Sequence, residues 1–209
     1  MRSPAYRLVV FDMDGVLVDV NSSWAWIHRH FGVNNDESLE AYIRGDIDDM
    51  EFMRRDIALW LEREPGLTRE YLGDVLGKAP LMTGCRDCLC TLRRMGVKTG
   101  VISGGIRMMV EHIGPHLFDW VMANDVGPGM TGVLEVPLKD KGSSFRTLLE
   151  LAGVPAEETV AVGNSFIDVP MLEEAGLGIA FNPEDDQVCG AADTVIRDKD
   201  LRHILSHVL

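Results

Sequence analysis

The stretch Val9-Val10-Phe11-Asp12-Met13-Asp14-Gly15-Val16-Leu17-Val18-Asp19 decides how the chain is read. An apolar run from Leu8 to Phe11 stops at Asp12, Asp14 and Gly15, and apolar residues resume at Val16. Val and Phe suit a buried strand, and a carboxylate placed where such a strand ends faces a crevice rather than a core. In open parallel sheets ligands sit in that crevice, beyond the carboxyl ends of the strands. Two alternating acids bring their carboxylates near one point, where a cation or a proton must relieve their repulsion. Hard divalent cations take oxygen ligands of this kind. Gly15 permits the sharp exit from the strand. Asp-x-Asp alone is also found in surface acidic pairs; the strand before it and the glycine after it give this copy its specificity.

A chain of 209 residues holds one full domain plus a small insert. Its 33 acidic and 20 basic side chains leave a net charge of −13, which argues against nucleic acid or an anionic membrane as partner. No uninterrupted apolar run is long enough to cross a bilayer, and MRSPAYRLVVF is too short for a leader, so a cytoplasmic protein is expected. Cys85-x-x-Cys88 has no second such pair and no His at finger spacing, and it falls in a predicted helix. Buried thiols are the favoured reading of the pair, over a metal or redox site.

From Ser22 to about Pro80 the periodicity is helical. Trp24, Ile27 and Phe31 share a face, then Leu39, Tyr42 and Ile43, then Met53, Ile57 and Trp60, then Tyr71, Leu72 and Val75. After Gly84 helices and strands alternate, with strands predicted at Val97–Ile102, Trp120–Ala123, Thr159–Val162, Gly178–Phe181 and Thr194–Ile196. A hairpin is expected around Gly127–Gly132, and helices include Ser143–Ala152 and a final helix. This alternation predicts an α/β fold, a doubly wound parallel sheet. Residues 1–18 and 82–209 are expected to form its core, with a small helical unit, 19–81, inserted after the first strand.

Three predicted strands, ending at Phe11, Ile102 and Val162, are each followed at once by polar residues with glycine. As neighbours in one sheet they would converge on a single crevice. Ser103-Gly104-Gly105 offers a hydroxyl and backbone N–H groups at a helix start, suited to phosphate oxygens; a capping turn fits the same residues. Lys141 would neutralise the same phosphate or be a solvated charge. Asp168 would complete a metal shell with Asp12 or cap the helix that follows it.

In DMDGVLVD (Asp12–Asp19), VISGG (Val101–Gly105), DKG (Asp140–Gly142) and VAVGNSFIDVPML (Val160–Leu172), in this order, the chain resembles the haloacid dehalogenase superfamily and its phosphoserine phosphatase-like branch. The resemblance implies that the helical insert is a cap closing over the crevice, and that a Mg2+-dependent phosphomonoesterase acts on a small phosphorylated metabolite. It assigns Asp12 as nucleophile and Asp14 as general acid and base, with Ser103, Gly104 and Lys141 holding the phosphoryl oxygens. It places Mg2+ on Asp12, Asp14, Asn164 and Asp168.

The chain departs from the family at Asn164, which stands where the branch carries an acid, so weaker Mg2+ binding is expected, with Asp168 moving toward the ion. Ile167 stands at a substrate-facing Asn, and Asn21 at a Glu that contacts the substrate amino group. Asp56 aligns with an Arg that grips its carboxylate, which puts phosphoserine in question as substrate. Asn21 and the nearby Arg54 are carried forward as substrate contacts. Trp24, Trp26 and Trp60 read as core or as a pocket wall, and His28 and His30 as solvated residues by the cap mouth. A phosphotransferase using the same aspartyl-phosphate, or a weakly catalytic phosphometabolite-binding protein, are the alternatives; the residues fix no oligomeric state.

Overall fold

Leu8, Val9, Val10 and Phe11 are wholly shielded from solvent and form β1 (Leu8–Phe11), the strand on which the sheet is built. In the computed structural model, which describes residues 5–209, side chains alternate across this strand. Val9 and Phe11 enter the larger apolar cluster, and Leu8 and Val10 enter the second cluster on the other face. A strand covered on both faces reads as the unbroken apolar run seen in the sequence. Positions 1–4 of the expected core lie outside the described residues.

Four helices follow β1: α1 (Ser23–Phe31), α2 (Asp36–Arg44), α3 (Asp49–Arg63) and α4 (Arg69–Leu76). Ser22, Asp48 and Thr68 cap α1, α3 and α4 by accepting backbone N–H groups from their first turns. The chain then runs through α5 (Cys85–Arg94), β2 (Lys98–Ser103), α6 (Met108–Ile113), β3 (Trp120–Ala123) and a hairpin of β4 (Asp125–Gly127) and β5 (Thr131–Val133). It continues with α7 (Lys141–Ala152), β6 (Thr159–Gly163), α8 (Val169–Glu174), β7 (Leu177–Phe181), α9 (Asp186–Ala191), β8 (Thr194–Ile196) and α10 (Leu205–Val208).

The main sheet has the order β3-β2-β1-β6-β7-β8, with every pairing parallel. The strand order runs outward in opposite directions from β1 and β6, so a crevice opens at their carboxyl ends, the switch point of an open α/β sheet. Phe11 is level with Val101 of β2 and Val162 of β6, which sets the three polar exits side by side. The fold is the doubly wound α/β architecture expected from the alternation of elements.

The helical segment joins the sheet through two strands of chain that run together. The Asp19 N–H donates to the Pro80 carbonyl at 2.8 Å, and the Met82 N–H donates to Leu17 at 3.0 Å. Farther out, Arg69 of α4 pairs with Asp125 and donates to the Val126 carbonyl at 2.8 Å, and Lys139 donates to the Tyr42 carbonyl at 3.3 Å. The helices therefore lean on the β4–β5 hairpin and on the chain after it.

Local expectations needed correction in several places. Leu39 and Ile43 of α2 and Tyr71 of α4 are exposed. Helix α2 instead buries Ser38, Ala41 and Tyr42, with the Tyr42 ring stacked on Phe52 of α3 at 5.0 Å. Helix α7 starts at Lys141 rather than Ser143, because Asp140 accepts the Ser143 N–H and fixes the first turn. The final helix divides into a 3-10 turn, Leu201–Ile204, and α10. Cys85 and Cys88 are buried; desolvation pushes the Cys85 thiol up to about 12 and raises that of Cys88 as well, which keeps both as inert thiols. No helix among the described residues is long and apolar enough to cross a membrane.

Candidate active site

Asp12 follows β1 directly, and its N–H donates to the Val162 carbonyl of β6 at 2.9 Å, so the sheet ladder itself fixes the residue. Lys141, the first residue of α7, extends its ammonium between two carboxylates. Nζ lies 2.7 Å from Asp12 Oδ1 and 2.6 Å from Asp168 Oδ1, and all three groups are buried. Asp12 Oδ2 is left free of hydrogen bonds. The two carboxylates hold Lys141 charged and raise its pKa against the cost of burial. Desolvation pushes the Asp12 carboxyl up to about 7, opposed by Lys141 and reinforced by repulsion from Asp168 and Asp14.

Asp168 makes no side-chain cap to α8, one of the two roles read from the sequence, and both of its oxygens have partners within the protein. Its Oδ1 is spent on Lys141, and its Oδ2 accepts the backbone N–H groups of Asn164 at 2.8 Å and Ser165 at 3.1 Å. Asp168 thus joins Lys141 to the backbone of the loop that follows β6.

Asp14 stands beyond Asp12 in a tight turn around Gly15, whose φ of 79° lies in the left-handed region. A Cβ there would meet the Asn164 amide at 2.1 Å, so this turn and the loop after β6 pack against each other only with glycine at position 15. Asp14 Oδ2 accepts the N–H of Ser23 at 2.7 Å and its hydroxyl at 2.8 Å, whereas Oδ1 is buried with no partner. Burial raises the Asp14 pKa, with the two Ser23 bonds pulling it down.

Ser103 closes β2, and its hydroxyl accepts the Gly105 N–H at 3.0 Å. Gly105 must be small, because a Cβ on it would lie 2.5 Å from Asp14 Oδ2. The Gly104 carbonyl is held by Trp24 Nε1 at 3.1 Å, and the Asn124 amide fastens the hairpin side of this loop through Val136 and Glu135.

These residues share one cavity of about 330 Å3. Asp12, Asp14, Ser103, Gly104, Lys141, Asn164, Ile167 and Asn21 all line it. Arg54 does not: it is exposed on α3 and pairs with Glu51 through two hydrogen bonds of 2.6 and 2.8 Å. Two positions along a helix turn the side chain to the opposite side from Asp56, which does line the cavity.

Of the tryptophans, Trp60 is wholly buried, Trp26 is half-buried and donates to the Val75 carbonyl, and Trp24 forms part of the cavity wall. His30 is exposed, but His28 is buried and lines the cavity. Ser23 and Glu184 escaped the sequence reading. Ser23 sits one residue inside a helix cap and gives no signal of its own. Glu184 stands three residues past the end of β7, behind Asn182 and Pro183, so the rule that picks out Asp12 directly after β1 passes over it.

The donor set suits a hard cation. Asp12, Asp14 and Glu184 supply carboxylates and Asn164 an amide oxygen, and Asp14 retains a buried oxygen without a partner. Glu184 is raised by burial and by repulsion from Asp185, Asp168 and Asp14, as expected of anions gathered without a cation between them. Among the described residues no three His, Cys, Asp or Glu side chains form a ready-made metal cluster.

Residues 6–176 match the family model of the haloacid dehalogenase-like hydrolases. Phosphoserine phosphatase SerB2 of Mycobacterium tuberculosis is 37% identical over 184 residues, which cover 84% of this chain and 44% of the relative, so the chain spans about half that protein's length. The phosphoserine phosphatase of Idiomarina loihiensis is 31% identical over 210 residues, covering 95% of this chain and 91% of the relative. A substrate-bound phosphoserine phosphatase structure superposes with a TM-score of 0.77 at 25% identity over 98% of this chain and 99% of that one. With four strand ends and one helix start delivering oxygen donors and an ammonium to the same crevice, and the family model matched across them, the chain belongs to the haloacid dehalogenase-like hydrolases.

Proposed function

We propose that the chain is a Mg2+-dependent phosphomonoesterase that works through an aspartyl-phosphate on Asp12, with residues 19–81 as its cap and 82–209 together with the first strand as its catalytic core. The observation that carries this reading is the pairing of Lys141 with Asp12 Oδ1 at 2.7 Å, which leaves Oδ2 of the same carboxylate free in the cavity. A carboxylate held by one oxygen presents the other as an oriented nucleophile.

In this reading Oδ2 of Asp12 forms a bond to phosphorus as the bond to the ester oxygen breaks. Asp14, whose pKa burial raises, gives its proton to the departing alkoxide. The ionised Asp14 then takes a proton from the water that attacks phosphorus and frees Asp12. Ser103 and the backbone N–H of Gly104 hold the phosphoryl oxygens, while Lys141 offsets charge that spreads over them. Mg2+, held by Asp12, the Asp14 turn and Asn164, would supply further neutralisation of the phosphoryl oxygens. The helices over the crevice exclude water, as an acid of raised pKa requires.

Phosphate release from a panel of phosphomonoesters, with Mg2+ and with chelator, tests the reading. Metal-dependent release that is lost in Asp12→Asn is expected. Absence of release from the entire panel, p-nitrophenyl phosphate included, overturns it.

A further inference from the structure

The cap side of the cavity holds a buried carboxylate with no charged partner. Asp56 of α3 is 2% exposed and lines the cavity. Its Oδ1 accepts a hydrogen bond from the Asn35 side chain at 3.0 Å, a neutral donor. Asn35 occupies the cap position of α2 yet makes no side-chain bond to that helix; its amide is turned to Asp56 instead.

The basic group beside Asp56 is His28, and it brings no charge. Trp60 Nε1, which can only donate, gives its hydrogen to His28 Nδ1 at 2.8 Å, so while that bond holds Nδ1 carries no proton. The imidazole hydrogen is therefore on Nε2. That atom is buried and has no hydrogen-bond partner, lying 3.3 Å from Asp56 Oδ2 without the alignment of a bond. His28 itself is 6% exposed and lines the same cavity.

A second carboxylate, Asp49, lines this end and is held by the Tyr42 hydroxyl at 2.8 Å. The nearest lysine outside the catalytic group, Lys139, spends its ammonium on the carbonyl and ring face of Tyr42. Trp24, Phe52 and Met53 complete the wall, and Trp24 links the two ends of the cavity: its indole donates to the Gly104 carbonyl and its ring stacks on Trp60 at 5.4 Å.

Asp12, Asp14, Asp49, Asp56 and Glu184 thus face the cavity against the single ammonium of Lys141. Lys141 and a divalent cation account for the phosphate end. Asp49 is half-buried and held by Tyr42, but Asp56 is buried and its one hydrogen bond comes from a neutral amide. A buried carboxylate that keeps its charge needs a counter-charge; a neutral hydroxyl would satisfy a lone pair and leave the charge uncompensated. Carboxylates beside indole and phenyl faces are a setting for an organic cation.

We infer that the substrate is the phosphomonoester of an amino alcohol, its ammonium group received by Asp56 beneath Trp24, with no carboxylate at that end. The inference rests on the phosphomonoesterase reading for its phosphate end only. A carboxylate on the substrate would meet the like charge of Asp56 here, so phosphoserine is disfavoured against the same molecule without its carboxyl group.

Two measurements separate this inference from the proposed activity. Calorimetric titration of the Mg2+-loaded wild-type protein with 3-aminopropylphosphonate and 3-hydroxypropylphosphonate, neither of which can be hydrolysed, reads recognition without turnover. The amine should bind at least about tenfold more tightly, the ratio a single net charge-assisted contact gives. Equal affinity, or preference for the hydroxyl compound, overturns the inference whatever the phosphatase assay returns.

Steady-state hydrolysis of phosphoethanolamine, 2-hydroxyethyl phosphate and phosphoserine reads the same choice in kcat/KM. Phosphoethanolamine should lead both by about tenfold or more, and the ratio should collapse toward unity in Asp56→Asn. A lead held by phosphoserine or by 2-hydroxyethyl phosphate refutes the inference and leaves the phosphatase reading standing. Amine-selective binding without release of phosphate from any ester refutes the phosphatase reading and leaves standing only the recognition of an ammonium group at Asp56. Because both wild-type ratios are decisive, a failure of Asp56→Asn to fold does not shelter the inference.

Discussion

Ser23 donates its backbone N–H and its hydroxyl to the same oxygen of Asp14, at 2.7 and 2.8 Å, and leaves the other oxygen buried without a partner. The Ser23 hydroxyl oxygen also accepts the Ile106 N–H at 2.8 Å, so one side chain of the first cap helix ties the acid to the chain after β2. The state of Asp14 is thereby coupled to the seating of α1.

Ser23→Ala is expected to lower kcat by about tenfold, and its loss of two buried hydrogen bonds to cost about 1–3 kcal/mol. The hydroxyl bond stabilises ionised Asp14, so its removal raises the Asp14 pKa further. Asp14 must be protonated to release the alcohol, and the alkaline limb of the kcat profile should move to higher pH. A profile that falls uniformly, without moving, would show that Ser23 acts on something other than Asp14.

The Lys141 ammonium separates two carboxylates that are both buried. Lys141→Met is expected to abolish measurable turnover and to cost about 3–5 kcal/mol, because it leaves Asp12 and Asp168 facing each other without a counter-charge. Chemical denaturation at pH 5 and pH 8 should show the smaller loss at the lower pH, where a shared proton replaces the ammonium. An equal loss at both would mean that packing, not charge, sets the cost.

Much of the site was legible because its residues follow a local rule: Asp12, Ser103 and Asn164 each stand where an apolar strand ends, and Lys141 stands where a helix begins. The parallel sheet was legible for the same reason, since strands buried on both faces are unbroken apolar runs. The helical segment hid its functional face. His28, Asn35 and Asp56 come from three helices or their caps, and on any one of them a polar residue looks like a solvated one. Helical rotation already set Arg54 on a different side from Asp56, about 100° per residue along α3, and its pairing with Glu51 keeps it out of the cavity. Asp168 stayed open between a cap and a ligand because its spacing fits both, and its pairing with Lys141, 27 residues earlier, leaves no signal in the sequence.

At the cation position proposed above the chain carries an amide, Asn164, with Glu184 nearby on the loop after β7. Asn164→Asp is expected to tighten Mn2+ binding by about tenfold or more, because it restores a full charge among the oxygen donors. Glu184→Gln is expected to weaken it. Mn2+ titration followed by electron paramagnetic resonance checks both without reference to turnover. If Glu184→Gln leaves affinity unchanged, its carboxylate plays no part in the site, and Asn164→Asp alone sets the charge.

Burial raises the Asp12 carboxyl to about 7, well above its ordinary value, so Asp12 binds a proton more tightly in the folded protein than in the unfolded chain. Its contribution to stability is therefore full below about pH 4 and is lost as pH rises through about 7. Asp14 and Glu184, also raised, act in the same direction. A cation bound among these oxygens displaces their protons, so it competes poorly in acid and gains as they ionise. Saturating Mg2+ should raise Tm little near pH 5 and progressively more toward about pH 8, with proton release on binding largest near pH 6–7. Asp12→Asn removes the group with the raised value, and most of the pH dependence of the Mg2+-induced shift should vanish with it. Thermal melts across this pH range, with and without Mg2+, decide the point: a shift that is constant with pH would place the cation away from Asp12.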